Sequence, residues 1–331
     1  MSEPYESIRA EVEAIWGRHK SLRAQLCVSV DESYARAMTT ARRWFEDGFE
    51  GLGGAFWEAA LRSAADGLDA MTGISRRVPG AVSVELYCRL NKDGPVHRWR
   101  EDGDLGGNVT YSPEAWEELL QWLGRVPWSV ALGCAANGND GDTDASWLDV
   151  WAHRVNSAGM TWWHLTVKGS PDTVLAERQT ALRTFLRGVA EGANPIHGEI
   201  SWGNSVSQCV YEEATNSYPD QTLPKGRWAL RGYAWVTIMP EEIGVRLGGL
   251  NALRGSGAFV EVEHLGAGGF WCRATEGPEE FDQAAAERVF DVIAPALPPG
   301  RPNMRSVYPP NVLAFRDPAE TEVQNPWAET S

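Results

Sequence analysis

"MTWWHLTVKGS", residues 160–170, decides how the rest of the chain is read. Alternation sends Met160, Trp162, His164 and Thr166 to one side and Trp163, Leu165 and Val167 to the other, the two-residue period of a strand. The second set is apolar and belongs against helices. The first is amphipathic, so Trp162 with His164 is expected to form a partly exposed platform. "SWLDVWAHRV" (146–155), just before it, predicts an antiparallel partner. "IHGEISWG" (196–203) repeats the arrangement, with His197, Glu199 and Ser201 on one face and Ile196, Ile200 and Trp202 on the other.

Working outward, "AVSVELYCRL" (81–90) and "WSVALGCAA" (128–136) read as further strands, and "WALRGYAWVTIM" (228–239) as a long one. "AFVEVEHL" and "GFWCRAT" follow, joined through Gly266, Gly268 and Gly269, a hairpin signal. Helical spacing of apolar residues predicts helices over 4–25, 32–46, 53–71 and 281–297. Ser112-Pro113 and Ser170-Pro171 each mark a helix start, Ser as the cap and Pro in the first turn, where its missing N–H costs nothing. The second of these helices should bury Leu182, Phe185 and Leu186 on the sheet. Pro240 opens a short helix closed by Gly248 and Gly249. Strands in adjacent hairpins with amphipathic helices between groups argue for an α+β fold. The expected architecture is an antiparallel or mixed sheet with amphipathic helices packed on one face. The expected organisation is a helical N-terminal region (1–78), an α+β sheet domain (79–300, with candidate halves 112–203 and 230–297) and a Pro-rich tail (301–331).

The 331 residues suffice for a substantial core. No window approaches the roughly 18 consecutive apolar residues of a membrane span, and the polar opening does not resemble a signal peptide. The five cysteines are scattered, without a C-x-x-C pair, as expected of reduced thiols in a cytoplasmic protein. The formal charge of −15 disfavours nucleic acid and anionic membranes as partners and favours a basic protein. Tryptophan occurs 16 times, a residue that serves both cores and binding surfaces.

Chemical motifs are sparse. Neither G-x-G-x-x-G, a phosphate loop, G-x-S-x-G nor His-Glu-x-x-His occurs, so no cofactor is expected. Asp140, Asp142, Asp144 and Asp149 imitate a calcium loop, but Ala145 replaces its turn glycine and Trp151 its bidentate glutamate. The cysteines are too dispersed for zinc, and no metal is expected. What remains is His197 beside Glu199, an imidazole with a carboxylate two residues away on the same strand face, the pairing of a general base and its orienting acid.

The C-terminal third carries an aromatic strand (Tyr233, Trp235), a helix ending in Leu247-Gly248-Gly249, a Gly268-Gly269-Phe270-Trp271 strand and a helix running into "IAPALPPG". Over residues 230–299 this resembles the type VI secretion immunity-protein family. The resemblance implies a protein that binds and neutralises a cognate toxin.

Two functions stay open at this point. One is a non-catalytic interaction protein of immunity type, with Trp162, Trp202, Trp235 and Tyr233 as candidate binding residues and a basic partner. The other is an enzyme on a small planar or cationic molecule, with His197, Glu199 and His164 as catalytic candidates and the same tryptophans stacking on the substrate.

Overall fold

Period-two segments dominate the centre of the molecule, and the computed structural model joins them in one ten-stranded sheet. It describes residues 21–54, 58, 82–89, 108–136, 146–169, 175–203, 205, 207–307 and 310–321. In chain order the strands are β1 (Leu22–Ser29), β2 (Val82–Arg89), β3 (Asn108–Thr110), β4 (Ser129–Ala136), β5 (Ser146–Ser157), β6 (Met160–Gly169), β7 (His197–Trp202), β8 (Val236–Met239), β9 (Glu261–His264) and β10 (Phe270–Arg273). The α-helices are α1 (Tyr34–Asp47), α2 (Pro113–Leu123), α3 (Leu175–Ala190), α4 (Val210–Thr215), α5 (Pro219–Thr222), α6 (Glu241–Arg246), α7 (Gly249–Gly255) and α8 (Gln283–Ile293). The strand order is β3-β2-β4-β5-β6-β1-β7-β8-β10-β9, and every pairing is antiparallel. The protein is therefore an α+β fold on an antiparallel sheet, as the alternation predicts.

Caps and stripes explain the helices. Ser33, Ser112 and Asp282 each accept a hydrogen bond from a first-turn N–H of α1, α2 and α8. Helix α1 buries Ala37, Thr40, Ala41, Trp44 and Phe45, one face at helical spacing. In α3, Leu182, Phe185 and Leu186 are buried in the main core with Trp163, Leu165 and Val167 of β6; the residues 170–174 expected to start it lie outside the described ones. Full burial of each such side chain is worth roughly 1.5–3 kcal/mol. The large helices α1, α2 and α3 cover the apolar face of the N-terminal strands. Helix α6 lies on the opposite face, where Gly244 meets the ring of Phe270 so closely that a Cβ would stand 2.1 Å from it.

Two elements differ from expectation. The helix predicted over 4–25 ends as strand: residues 22–29 form β1, at the middle of the sheet between β6 and β7. In "LRAQLCVS", Leu22, Ala24, Leu26 and Val28 alternate with Arg23, Gln25, Cys27 and Ser29, and pairing on both sides rewards that period over the helical stripe. Residues 4–20, like most of the expected 53–71 helix, lie outside the described residues. The long strand expected over 228–239 is regular only from Val236. Before it, Leu230 N–H bonds to Ala296 and Ala234 N–H to the Thr237 hydroxyl, so these groups satisfy themselves away from the ladder. The glycine hairpin between β9 and β10 is present, with Gly268 at φ +108° and Gly269 at φ +101°, backbone that other residues rarely adopt. No described helix is long and apolar enough to cross a membrane.

Candidate functional site

The registers place polar residues in ranks across the sheet. His153 of β5 pairs with His164 of β6, His164 with Cys27 of β1, and Cys27 with His197 of β7. The next rank runs through Trp151, Thr166, Gln25, Glu199 and Thr237, and the one after through Asp149, Lys168, Arg23 and Ser201. Directly paired side chains on one face lie about 5 Å apart. Three histidines and a cysteine therefore form one row across four strands.

Alternation assigned Trp162 and His164 correctly to the face opposite Trp163 and Leu165, but their expected partial exposure is corrected. Trp162 is 1% and His164 0% exposed, and His197 and Glu199 are also buried. The chain between β7 and β8 folds back over this face. Leu223 from that cover packs with Trp162, Cys27 and Ile196 in a small second core.

Cover and sheet are joined by buried charge. Arg23 donates to Glu199 Oε1 at 3.3 Å, Ser201 at 3.1 Å, the Ser205 carbonyl at 2.8 Å and Glu213 at 3.3 Å. Arg231 grips the Glu212 carboxylate with Nε at 2.8 Å and Nη2 at 2.7 Å, and Nη1 reaches Cys27 Sγ at 2.7 Å. Gln25 donates to the Gln208 carbonyl. Bidentate arginine–carboxylate pairs are the geometry that repays desolvation best. They are how a polar sheet face becomes an interior.

The electrostatics follow from this enclosure. Burial, and then the charge of Arg231 and neighbouring cationic groups, hold His164 well below the ordinary histidine value. Burial lowers His153 to about 4. For Glu199 burial works upward, but His197, Arg23 and Ser201 outweigh it and the carboxyl lies below its usual range. Burial raises the Cys27 thiol to about 12, with Arg231 opposing. His197 Nε2 stands 3.6 Å from Glu199 Oε2, and neither atom has a hydrogen-bond partner. The pairing proposed from sequence is therefore assembled, but out of reach of solvent.

Of the aromatic candidates, Trp202, Trp235 and Tyr233 are not brought together with it. Trp202 points to the other face of β7 from Glu199, and together with Trp235 it lines a cavity with room for little more than a water molecule. Trp235 Nε1 is bonded to the Thr275 carbonyl, and the Tyr233 hydroxyl accepts from Ala314 N–H, both buried. Of the acidic turn, residues 140–144 lie outside the described ones. Asp149 is raised by burial beside Lys168.

Sequence reasoning missed Arg23, Gln25, Cys27, Glu212 and Arg231. The first three were legible in the alternation of β1, which the helical stripe obscured. Glu212 and Arg231 carry no local signal, because their partners lie 19 residues apart and across the sheet.

No protein-family model and no curated protein matches the chain, so the resemblance over 230–299 finds no matching family model. Among solved structures the chain is similar to the T6SS protein PA0821 of Pseudomonas aeruginosa. The sequences are 12% identical, the TM-score is 0.44, and the match covers 84% of this chain and 73% of that one.

Proposed function

We propose that this protein is a non-catalytic interaction protein of immunity type, which binds and neutralises a basic partner protein through its outer surface. The observation that carries this is the sealing of the His197 and Glu199 face. A general base needs the substrate proton within hydrogen-bond reach, and here the cover and its ion pairs occupy that space. The surface offers what a binding partner uses. Trp228, at the end of the cover, is 68% exposed, and Tyr218 on the same segment is 50% exposed. Large exposed aromatics are the residue types that anchor interfaces. Excess carboxylate, giving −15 overall, would steer a cationic partner and reject anionic ones.

The test is capture by the immobilised full-length chain from extracts of its native organism, with the retained protein identified by mass spectrometry. The expected result is a basic protein, held saturably at low salt and released as salt rises from about 0.05 to 0.5 M, since exposed charges are screened beyond roughly 10 Å at 0.1 M. Trp228→Ala should weaken that binding at least tenfold while leaving the melting temperature unchanged. Retention of acidic proteins alone, or binding indifferent to both salt and Trp228→Ala, would exclude this mode of association.

A further inference from the structure

Beneath the cover, three buried side chains from two layers converge. His197 and Glu199 project from β7, and Cys209 is the N-cap residue of α4 in the cover. An imidazole nitrogen, a carboxylate oxygen and the sulfur lie within 4.8 Å of one another. Their hydrogen bonding is incomplete. Neither ring nitrogen of His197 has a partner, and nor does Glu199 Oε2. Glu199 Oε1 accepts from Arg23 at 3.3 Å and Ser201 at 2.8 Å, which orients the carboxylate and leaves Oε2 facing His197. Buried polar groups are nearly always paired. Three orphaned atoms on two adjacent ligand-type residues, with a thiol alongside, call for an occupant.

We propose that His197, Glu199 and Cys209 bind a zinc ion that pins the cover to the sheet. Mixed nitrogen, oxygen and sulfur donors suit a borderline-soft dication, and zinc accepts all three. Charge balances locally: a Cys209 thiolate and the Glu199 carboxylate offset the dication, with His197 neutral. A neutral assembly is what a buried site tolerates. On binding, the S–H bond of Cys209 is replaced by a sulfur–zinc bond and the proton leaves to solvent. The thiol's 3.3 Å hydrogen bond to the Arg231 carbonyl is given up. Zinc–ligand bonds of about 2.0–2.3 Å at tetrahedral angles would draw the three donor atoms to about 3.3–3.8 Å apart, a small contraction. Arg23 and Ser201 hold Glu199 from behind, as outer partners of a metal ligand do. Three protein donors leave one tetrahedral position for a water, and because all three ligands are out of contact with solvent no substrate reaches it, so the ion's role is to hold the cover. It would fasten Cys209, across a loop, to the strand that precedes it.

The test uses the full-length chain, unfolded in guanidinium with chelator and refolded with or without Zn²⁺ or Co²⁺. Wild type should retain about one zinc per chain after gel filtration. Its cobalt form should show a thiolate-to-metal charge-transfer band, and zinc should raise its melting temperature. Cys209→Ser should lose all three effects, while Cys88→Ser, a buried thiol on β2, should keep them. Wild-type zinc well below one per chain, or a cobalt spectrum that lacks the thiolate band or keeps it in Cys209→Ser, overturns the site. The wild-type measurements decide even if Cys209→Ser fails to fold.

Discussion

Arg231 Nη1 stands 2.7 Å from Cys27 Sγ, joining the end of the cover to the central strand of the sheet. The same guanidinium holds Glu212 with its other nitrogens, and Cys27, Arg231 and Glu212 are all buried. One side chain thus ties the cover both to itself and to the polar face of β1.

Removing that cation while leaving its carboxylate behind should be costly. Arg231→Met strands Glu212 in the interior and is expected to lower stability by about 3–5 kcal/mol, as is Glu212→Gln for the converse reason. The double variant should be less destabilised than the sum of the two, because no buried charge remains unpaired. Urea denaturation of the four proteins measures this; strict additivity would mean that the two groups do not share an enclosed pair.

Trp162 and Trp163 face opposite sides of β6, yet both are buried. Each change to alanine is expected to cost about 3–5 kcal/mol. Trp163 Nε1 makes no hydrogen bond, so Trp163→Phe should be much milder than Trp163→Ala. Thermal melts give the comparison. A small loss for Trp162→Ala would show that the cover does not close over this ring.

Acid should weaken the protein before its carboxylates titrate. A histidine in the unfolded chain takes up its proton near 6.5, whereas folded His153 does so near 4 and burial holds folded His164 well below its ordinary value. Between these values the unfolded state holds more protons, so stability is full above about 6.5 and falls as pH drops towards 4. Each histidine contributes up to about 1.4 kcal/mol per pH unit in that window. Denaturation midpoints between about pH 7 and 5 should fall steeply, and His153→Gln should flatten the slope. An unchanged slope in that variant would mean that His153 is not held below its ordinary value.

Gly244→Ala tests the packing of α6. Its Cβ would lie 2.1 Å from the Phe270 ring, so the helix or the ring must shift. Overpacking of this kind costs typically about 1–3 kcal/mol. The double change Gly244→Ala with Phe270→Leu should recover part of the loss, read by the same melts. A neutral Gly244→Ala would mean that α6 is not seated on β10.

How much of this was legible in the chain depends on the range of the signal. Period-two alternation in 82–89, 129–136, 146–169 and 197–202, and the cap at Ser112, act within a few residues and read directly as strands and a helix start. The division of β6 into a Trp163 side and a Trp162 side was equally local. Segment 22–29 was harder, because its apolar residues also fit the helical stripe of the preceding sequence. Only pairing with β6 and β7 selects the strand.

The sequence by itself therefore determined the α+β class, most of the strands and which side chains share a face, since these follow from backbone geometry and neighbours close in the chain. It also determined the acidity of the whole. What lies over a face is a different matter. Exposure of His164, His197 and Glu199 depends on a segment that returns across the sheet, held by Arg23 to Glu213 and Arg231 to Glu212 and Cys27. No period or spacing encodes such contacts. Their energies arise only when charges leave water together, and tertiary structure alone decides which of them do.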